Sequence, residues 1–196
     1  MKSTINIPTP LDLDQHESLL KFENRDLGYT CYIALTGNEF DSAIGGCRLY
    51  YYNSDVEAAN DAVKLSRGMA KKASIHRLPH NGGKAVLYIH HENISKQAVF
   101  SAFAQHVNTL SGKYVTSIDV GTTSGDMDII KKNTNYVIGS TDQPETAEHT
   151  ALGVYLAIKA SCEHYLSKSL KNVRIGIQGV GSIGSLLINK LKQHTS

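Results

Sequence analysis

Tryptophan is absent from this chain of 196 residues, and cysteine is scarce. The three cysteines, Cys31, Cys47 and Cys162, lie far apart and are odd in number, so they fit neither a disulfide framework nor a metal-binding pair. No apolar run approaches the roughly 18 residues that a membrane-spanning helix needs. Residues 1–8 also lack the apolar run of a signal peptide. These absences predict a cytoplasmic protein with reduced thiols.

An excess of either charge is also missing. The chain has 20 Lys and Arg residues against 18 Asp and Glu residues, and the two signs are mixed along it. This pattern predicts neither a nucleic acid nor a membrane surface as a partner. The hydrophobic content of 41% and the charged content of 19% are typical of a soluble globular protein. The length suits one domain, or one domain with part of another.

Strand-like and helix-like segments alternate along the chain. The first helix is the clearest, because Ser54 with Glu57 three residues later is a capping-box pattern. The alternation predicts an α/β fold with a mostly parallel open sheet and helices on both faces. The predicted strands span residues 17–23, 28–36, 49–52, 85–89, 114–118, 136–139 and 173–178, and the predicted helices span 54–69, 95–110, 125–131 and 146–166.

Gly82-Gly83-Lys84 stands between the first helix and the apolar strand 85–89, and we interpret it as a turn. A lysine at the mouth of an apolar strand is desolvated, which lowers its pKa from about 10.4 toward the ~7–8 of a usable general base. The two glycines would let the backbone approach a ligand closely. For this stretch alone, a glycine turn with a solvated lysine is the simpler alternative.

Asp119 follows the predicted strand 114–118. Catalytic groups of open α/β sheets gather at such strand ends. An alternative is that Asp119 caps the start of a helix near Thr122-Thr123, and for an isolated aspartate this alternative is favoured.

Other polar residues also have simple structural explanations. Lys72 lies near a helix C-terminus, where a lysine interacts favourably with the helix dipole. His76 and His80 have i, i+4 spacing, but Pro79 between them argues against a shared helical face. We interpret them as loop histidines and predict no metal site.

The segment Gly179-Val180-Gly181-Ser182-Ile183-Gly184 follows the predicted strand 173–178 and precedes a helix, as in a dinucleotide-binding motif. The first glycine makes the turn, the second admits the pyrophosphate and the third packs helix on strand. We therefore predict NAD as cofactor. The acidic residue that binds the ribose comes about 20 residues later in such folds, but only 12 residues follow Gly184 here.

Because the nucleotide-binding motif is incomplete, we expect the chain to have three parts. We expect a substrate-binding and catalytic domain over residues 1–145 and an interdomain helix over 146–170. Residues 171–196 would then be the truncated start of an NAD-binding Rossmann domain.

Together these stretches resemble the amino acid dehydrogenase family that acts on leucine, valine, phenylalanine and glutamate, and most of all its leucine dehydrogenase branch. The resemblance covers nearly the whole chain, in family order and with family-like spacing. The matching stretches are His16-Glu17, Ile44-Gly45-Gly46-Cys47-Arg48, Gly68-Met69 with Lys72, Gly82-Gly83-Lys84, Asp119-Val120-Gly121-Thr122-Thr123, Asp126-Met127-Asp128, Thr150-Ala151 with Gly153-Val154, and Gly179 to Gly184.

The resemblance implies oxidative deamination, in which hydride leaves the substrate Cα for NAD, water attacks the imine, and a 2-oxo acid and ammonia are released. Lys84 would activate water as general base, and Asp119 would relay protons as the carbinolamine forms and collapses. Lys72 would bind the substrate carboxylate. A charged Lys72 near a desolvated Lys84 would also help Lys84 to lose its proton. The resemblance places Gly45 and Gly46 in the substrate site, and Thr150 near the substrate and nicotinamide.

One position bears on the substrate. Glutamate-specific relatives carry a lysine just before the first Gly-Gly, where this chain has Ile44. An apolar residue there would leave a buried substrate carboxylate unpaired, at a free-energy cost of roughly several kcal/mol. We therefore expect an apolar, branched L-amino acid as substrate.

Several features depart from the family or leave a choice open. Lys71, Arg77 and His80 make their segment more basic than the family pattern, and Asn81 stands where a third glycine is common. The resemblance also implies a homo-oligomer. The alternative to an active dehydrogenase is a non-catalytic remnant, or a fragment, that folds and oligomerises without a complete cofactor site.

Overall fold

The computed structural model describes residues 18–37, 42–144 and 146–193. The chain divides into two compact units, Met1–Gln143 and Pro144–Ser196. His16 and Glu17, the first stretch of the resemblance, lie outside the described residues.

A five-stranded sheet forms the centre of the first unit. Its spatial order is β1-β2-β4-β3-β5. The β1–β2 and β2–β4 pairings are antiparallel, while β3 pairs in parallel with both β4 and β5. The strands are β1 (Ser18–Asn24), β2 (Tyr29–Leu35), β3 (Ala43–Tyr50), β4 (Asn81–Ile89) and β5 (Tyr114–Ile118).

The predicted α/β open sheet is confirmed, but the sheet is mixed and not mostly parallel. The turn from Arg25 to Gly28 between β1 and β2 is too short for a parallel crossover, so the chain returns as an antiparallel hairpin. Parallel pairing is limited to the strands joined by helices.

Helices cover both faces of the sheet, as predicted. Successive strand residues point to opposite faces. Cys31 and Leu87 pack in one hydrophobic cluster with α2 (Lys96–Asn108) and α3 (Ser124–Lys131), whereas Tyr32 and Val86 pack in another with α1 (Asp55–Ile75).

Helix α1 begins as predicted and ends later. The Ser54 hydroxyl accepts a hydrogen bond from the backbone N–H of Glu57, while the Glu57 carboxylate accepts one from the backbone N–H of Asn53. The helix continues six residues past the expected end at Met69, to Ile75. No proline and no residue with a left-handed backbone lies between Met69 and Ile75. The first left-handed residue after Met69 is Arg77, with φ +53°. Lys71 and Lys72 are therefore helical.

The second unit contains α4 (Thr146–Leu166), a short 3-10 turn (Leu170–Asn172) and α5 (Ser182–Lys192). The segment 173–178 alternates in exposure as a strand does but is not part of a sheet, because no strand of the described chain pairs with it. The strand predicted over 136–139 is reduced to a single bridge between Val137 and Thr116. Among the described helices, none is long and apolar enough to cross a membrane.

Candidate active site

Lys84 lies inside a strand and not in a turn. Strand β4 begins at Asn81, and its first residues are already paired: Gly82 with Ile44 of β3, and Gly83 with Leu35 of β2. Lys84 is 4% exposed. The expectation of a Gly-Gly-Lys turn is wrong because both glycines are already paired in the sheet, Gly82 with β3 and Gly83 with β2.

The glycines bring protein segments together. A Cβ at Gly82 would meet the backbone of Ser66 and Ala70 in α1, and a Cβ at Gly45 would meet the carbonyl oxygen of Gly83. A Cβ at Gly46 would lie 2.5 Å from the carbonyl oxygen of Ile118. Protein atoms therefore occupy the space in which we expected a ligand to approach Gly82. The lack of side chains lets α1, β3, β4 and β5 pack closely around Lys84.

The Asp119 carboxylate pairs with both Lys84 and Arg48. The Lys84 Nζ lies 2.8 Å from Oδ1 of Asp119, and the Arg48 Nε donates to Oδ2 over 2.8 Å. The Lys84 side chain is 5% exposed, against 21% for that of Asp119. One carboxylate thus pairs with two cations in a largely dry environment, with one oxygen for each.

The turn after β5 fixes Asp119. The backbone N–H of Asp119 donates to the Thr122 hydroxyl, which donates in turn to the carbonyl oxygen of Cys47. Gly121 has φ +79°, and a Cβ there would meet the backbone of Leu49, so only glycine fits. Helix α3 is capped by Thr123. The simpler alternative, in which Asp119 serves as the cap, is therefore wrong.

Burial and charge set the protonation of the pair. Burial lowers the pKa of Lys84 from its usual value; Asp119 opposes this shift, and the charge of Arg48 adds to it. Burial alone would raise the pKa of Asp119, but its hydrogen bonds and charge interactions, first with Lys84 and then with Arg48, lower it overall. Asp119 is therefore ionised near neutral pH, and Lys84 releases its proton more readily than an ordinary lysine.

Arg48 is the cation that helps to lower the pKa of Lys84, a role that we expected of Lys72. Arg48 belongs to one of the matching sequence stretches, but the sequence alone assigned it no role. Its Nη1 donates to Oδ2 of Asp61 over 2.7 Å, and the Tyr52 hydroxyl donates to the same oxygen over 2.6 Å. The only sequence signal for this contact was an arginine in a strand and an aspartate on the amphipathic helix that follows.

The remaining predicted site residues lie in different settings. Lys72 is exposed on α1 and has no ion-pair partner in the described part of the chain. Ile44 is partly buried on β3, beside Gly45 and Gly46. Thr150 belongs to α4 in the second unit, where its hydroxyl donates to the carbonyl oxygen of Thr146 over 2.9 Å. Within the described ranges, no group of three or more His, Cys, Asp and Glu residues could hold a metal ion.

The glycine motif of the second unit forms a close turn at the start of α5. Gly179 has φ +90°, and a Cβ at Gly184 would meet its carbonyl oxygen. A Cβ at Gly181 would meet nothing within 4 Å, which leaves open space at the start of α5. Gly181 caps α5 without a side-chain hydrogen bond. The first amide groups of the helix are therefore suited to an anionic ligand such as a dinucleotide pyrophosphate, with Val180, Ser182 and Ile183 completing the loop.

Comparisons with known proteins show the family to which the chain is similar. The family model described as Glu/Leu/Phe/Val dehydrogenase, dimerisation domain, matches residues 16–136. The chain is 37% identical over 185 residues to a leucine dehydrogenase of Geobacillus stearothermophilus, and 35% identical over 185 residues to a valine dehydrogenase of Streptomyces virginiae. These matches cover 91% and 92% of this chain, but 50% and 52% of the relatives. The chain thus spans about half the length of the curated relatives it matches.

Solved structures of amino acid dehydrogenases also align with this chain. The L-tryptophan dehydrogenase of Nostoc punctiforme aligns with a TM-score of 0.70 and 33% identity, over 91% of this chain and 52% of that one. The hetero-hexameric glutamate dehydrogenase of Thermus thermophilus aligns with a TM-score of 0.74 and 17% identity, over 85% of this chain and 44% of that one. The second likeness concerns the fold alone.

Proposed function

This chain belongs to the Glu/Leu/Phe/Val dehydrogenase family, and on that premise we propose that it supplies the substrate-binding half of an NAD-dependent amino acid dehydrogenase. The proposed reaction is oxidative deamination of an apolar, branched L-amino acid such as leucine to the 2-oxo acid and ammonia. The observation that carries the proposal is the ion pair between buried Lys84 and partly exposed Asp119, whose Nζ and Oδ1 atoms lie 2.8 Å apart.

The pair is suited to moving protons. A neutral Lys84 accepts a proton from water as that water attacks the substrate imine, and the resulting ammonium is stabilised by the Asp119 carboxylate. Asp119 lies within hydrogen-bonding distance of Lys84, so it can pass protons between the lysine and the reacting nitrogen. Arg48 keeps Asp119 anionic when Lys84 is neutral. We assign the substrate carboxylate to Lys72, whose ammonium is exposed on α1.

The cofactor is assigned to the second unit. The residues that would hold the NAD pyrophosphate are those of the Gly179–Gly184 loop, through amide groups at the start of α5. Bound NAD would accept the hydride from the substrate Cα. Thr150, in the same unit, remains our candidate for a residue near the nicotinamide.

The substrate preference rests on Ile44. Its side chain is partly buried on β3, next to the glycines that pack around Lys84 and Asp119. Leucine, valine and tryptophan, the amino acids named for three curated relatives at 35–37% identity, are all apolar. An isoleucine at this position offers no partner for a second substrate carboxylate, which disfavours glutamate.

We also propose a homo-oligomer located in the cytoplasm. The oligomer is supported by the description of the matched family model as a dimerisation domain. The location is supported by the three cysteines, which are all buried and free. The second candidate remains a chain that folds and oligomerises without turnover, and the half-length match to the relatives favours testing it directly.

The test compares the chain alone with a fusion of residues 1–178 to the nucleotide-binding half of a leucine dehydrogenase. We expect no NADH from leucine with the 196-residue chain alone, because it spans about half the length of the relatives it matches. We expect NADH from the fusion, with leucine preferred over glutamate. Lys84→Ala should lower kcat of the fusion by about 10²-fold or more.

Lys71→Ala is the control for removal of a lysine, since Lys71 is exposed on α1 and has no assigned role in the reaction. It should leave kcat unchanged. A preference for glutamate would refute the substrate assignment, and full activity in Lys84→Ala would refute the role of the base. A folded but inert fusion would support the non-catalytic alternative.

A further inference from the structure

Two carboxylates from different elements share the Arg48 side chain. Nε of Arg48 donates to Oδ2 of Asp119, which follows β5, while Nη1 donates to Oδ2 of Asp61 in the middle of α1. The Asp61 oxygen is held a second time, by the Tyr52 hydroxyl. With Lys84, these side chains form a cluster of two cations and two anions in which each distance is 2.8 Å or less.

The guanidinium group could pair differently. A planar guanidinium with two parallel N–H donors favours bidentate pairing with a single carboxylate. If Arg48 paired with Asp119 in this way, it would take both carboxylate oxygens. Oδ1 would then be shared or lost as the partner of Lys84. In the structure, Nε of Arg48 donates to Asp119, while Nη1, which is not the neighbour of the Nε–H, donates to Asp61. The contact with Asp61 therefore sets how the guanidinium plane is turned, and with it whether Nη2, the second donor of the Nε fork, reaches Oδ1 of Asp119.

We infer that Asp61 is a positioning residue, which holds Arg48 away from Oδ1 of Asp119 and so reserves that oxygen for Lys84. This inference rests on the proposed function, since it concerns the same lysine–aspartate pair. Tyr52 supports Asp61 by fixing the oxygen that Arg48 contacts. Asp61 itself touches neither Lys84 nor Asp119 in the described contacts, so it acts only through Arg48.

The charges around Lys84 define what removing Asp61 should do. Asp119, Arg48 and the Cys47 thiol are the groups that act on Lys84, and Asp61 balances the charge of Arg48. In Asp61→Asn the cluster gains a net positive charge, and Arg48 is free to turn toward Asp119. Both changes disfavour the ammonium form of Lys84.

The experiment is a pH titration of the Lys84 side chain by NMR in the 196-residue chain with isotope-labelled lysine, with the signal assigned by its loss in Lys84→Met. The pKa of Lys84 should fall by about one unit in Asp61→Asn. Tyr52→Phe, which removes a hydroxyl and no charge, should shift it in the same direction by less. Asp61→Glu, which restores a carboxylate, should return the titration toward that of the original chain.

Glu57→Gln is the matched control. Glu57 lies one turn earlier on α1 and lines the same 470 Å³ cavity as Asp61, but its carboxylate contacts Asn53 and not Arg48. It should leave the Lys84 titration nearly unchanged. Equal shifts in Glu57→Gln and Asp61→Asn would show a general charge effect and overturn the inference, as would a rise in the pKa. If Asp61→Asn loses the folded spectrum, the shift in Tyr52→Phe decides.

The readout does not depend on turnover. An inert fusion protein with the expected titration shifts would reject the proposed function and leave the positioning role of Asp61 intact. An active fusion without these shifts would do the reverse.

Discussion

The two units of the chain differ in how completely they bury their apolar side chains. In the first unit, Leu87, Phe100 and Phe103 are fully buried between sheet and helices. In the second, a small cluster is buried, while Leu156 is 52% and Val180 67% exposed. Within residues 146–193, the buried hydrophobic residues are Ala151, Cys162, Leu170, Leu187 and Leu191.

The candidate sites of the two units depend on different kinds of structure. The glycine loop of the second unit is formed by local backbone geometry, with a left-handed Gly179 and a close approach at Gly184. The Lys84–Asp119 pair depends on β4, on the turn after β5, and on Arg48 from β3, with α1 packed over them. A local motif survives with little core around it, whereas the buried pair needs a complete core to hold distant segments together.

The largest difference is expected from core truncation. Leu87→Ala removes a fully buried side chain from β4 and should lower the stability of the first unit by about 3 kcal/mol. Leu156→Ala, in the second unit, should change stability by about 0.5 kcal/mol or less because the side chain is half exposed. Amide hydrogen exchange in β4 and α4 reports each unit separately. Similar losses at both positions would show that the second unit is as tightly packed as the first.

A smaller difference is expected between ion pairs. Asp119→Asn leaves Lys84 and Arg48 without a shared carboxylate, and should destabilise the first unit by about 2 kcal/mol, below the range for a fully buried pair because Asp119 is partly exposed. Glu163→Gln breaks the exposed Lys159–Glu163 pair of α4. This substitution should lower the stability of α4 by about 0.3 kcal/mol.

The pH dependence of the first unit follows from the same pair. The pKa of Asp119 is lowered in the folded protein, so its stabilising contribution is fully present above the unfolded carboxyl pKa of about 3.9. It is lost as the pH falls through the folded-state value. Acid unfolding of the original chain should therefore be steeper than that of Asp119→Asn below about pH 4. Parallel acid profiles for the two proteins would contradict this linkage.

Sequence reasoning identified the elements with strong local signals. The Ser54 cap, the apolar stripe of α2 and the glycine loop after residue 178 were all recognisable, because each depends on residues close in sequence. The α/β class followed from their alternation. The mixed sheet order did not follow, since the position of β2 beside β4 depends on pairing between segments far apart in the chain.

The site was predicted in the same uneven way. Lys84 and Asp119 were identified through motif context, and the structure joins them directly. Arg48 and Asp61 were missed as partners because a side chain that bridges β3, α1 and the turn after β5 leaves no fixed spacing in sequence. Gly82 was misread as a ligand contact, since a sequence cannot distinguish a ligand from a packed helix as the reason for a missing Cβ.

The smallest expected difference between the units concerns local helix propensity. Gly153 lies inside α4, and a Cβ there would meet nothing within 4 Å. Gly153→Ala should therefore stabilise the helix by up to about 1 kcal/mol. Its matched control is Gly125→Ala in α3 of the first unit, where the nearest atom would be the Thr123 hydroxyl oxygen at 3.7 Å.

Gly125 lies in the first turn of its helix, so its substitution should also stabilise, by a smaller amount. Slower amide exchange in α4 and α3, respectively, would show the two gains. If both are stabilising, helix propensity acts alike in the two units, and the contrast between them comes from burial alone. A loss of stability in Gly153→Ala would instead mean that Gly153 is packed against another surface, and the second unit would then have more tertiary structure than its exposed side chains indicate.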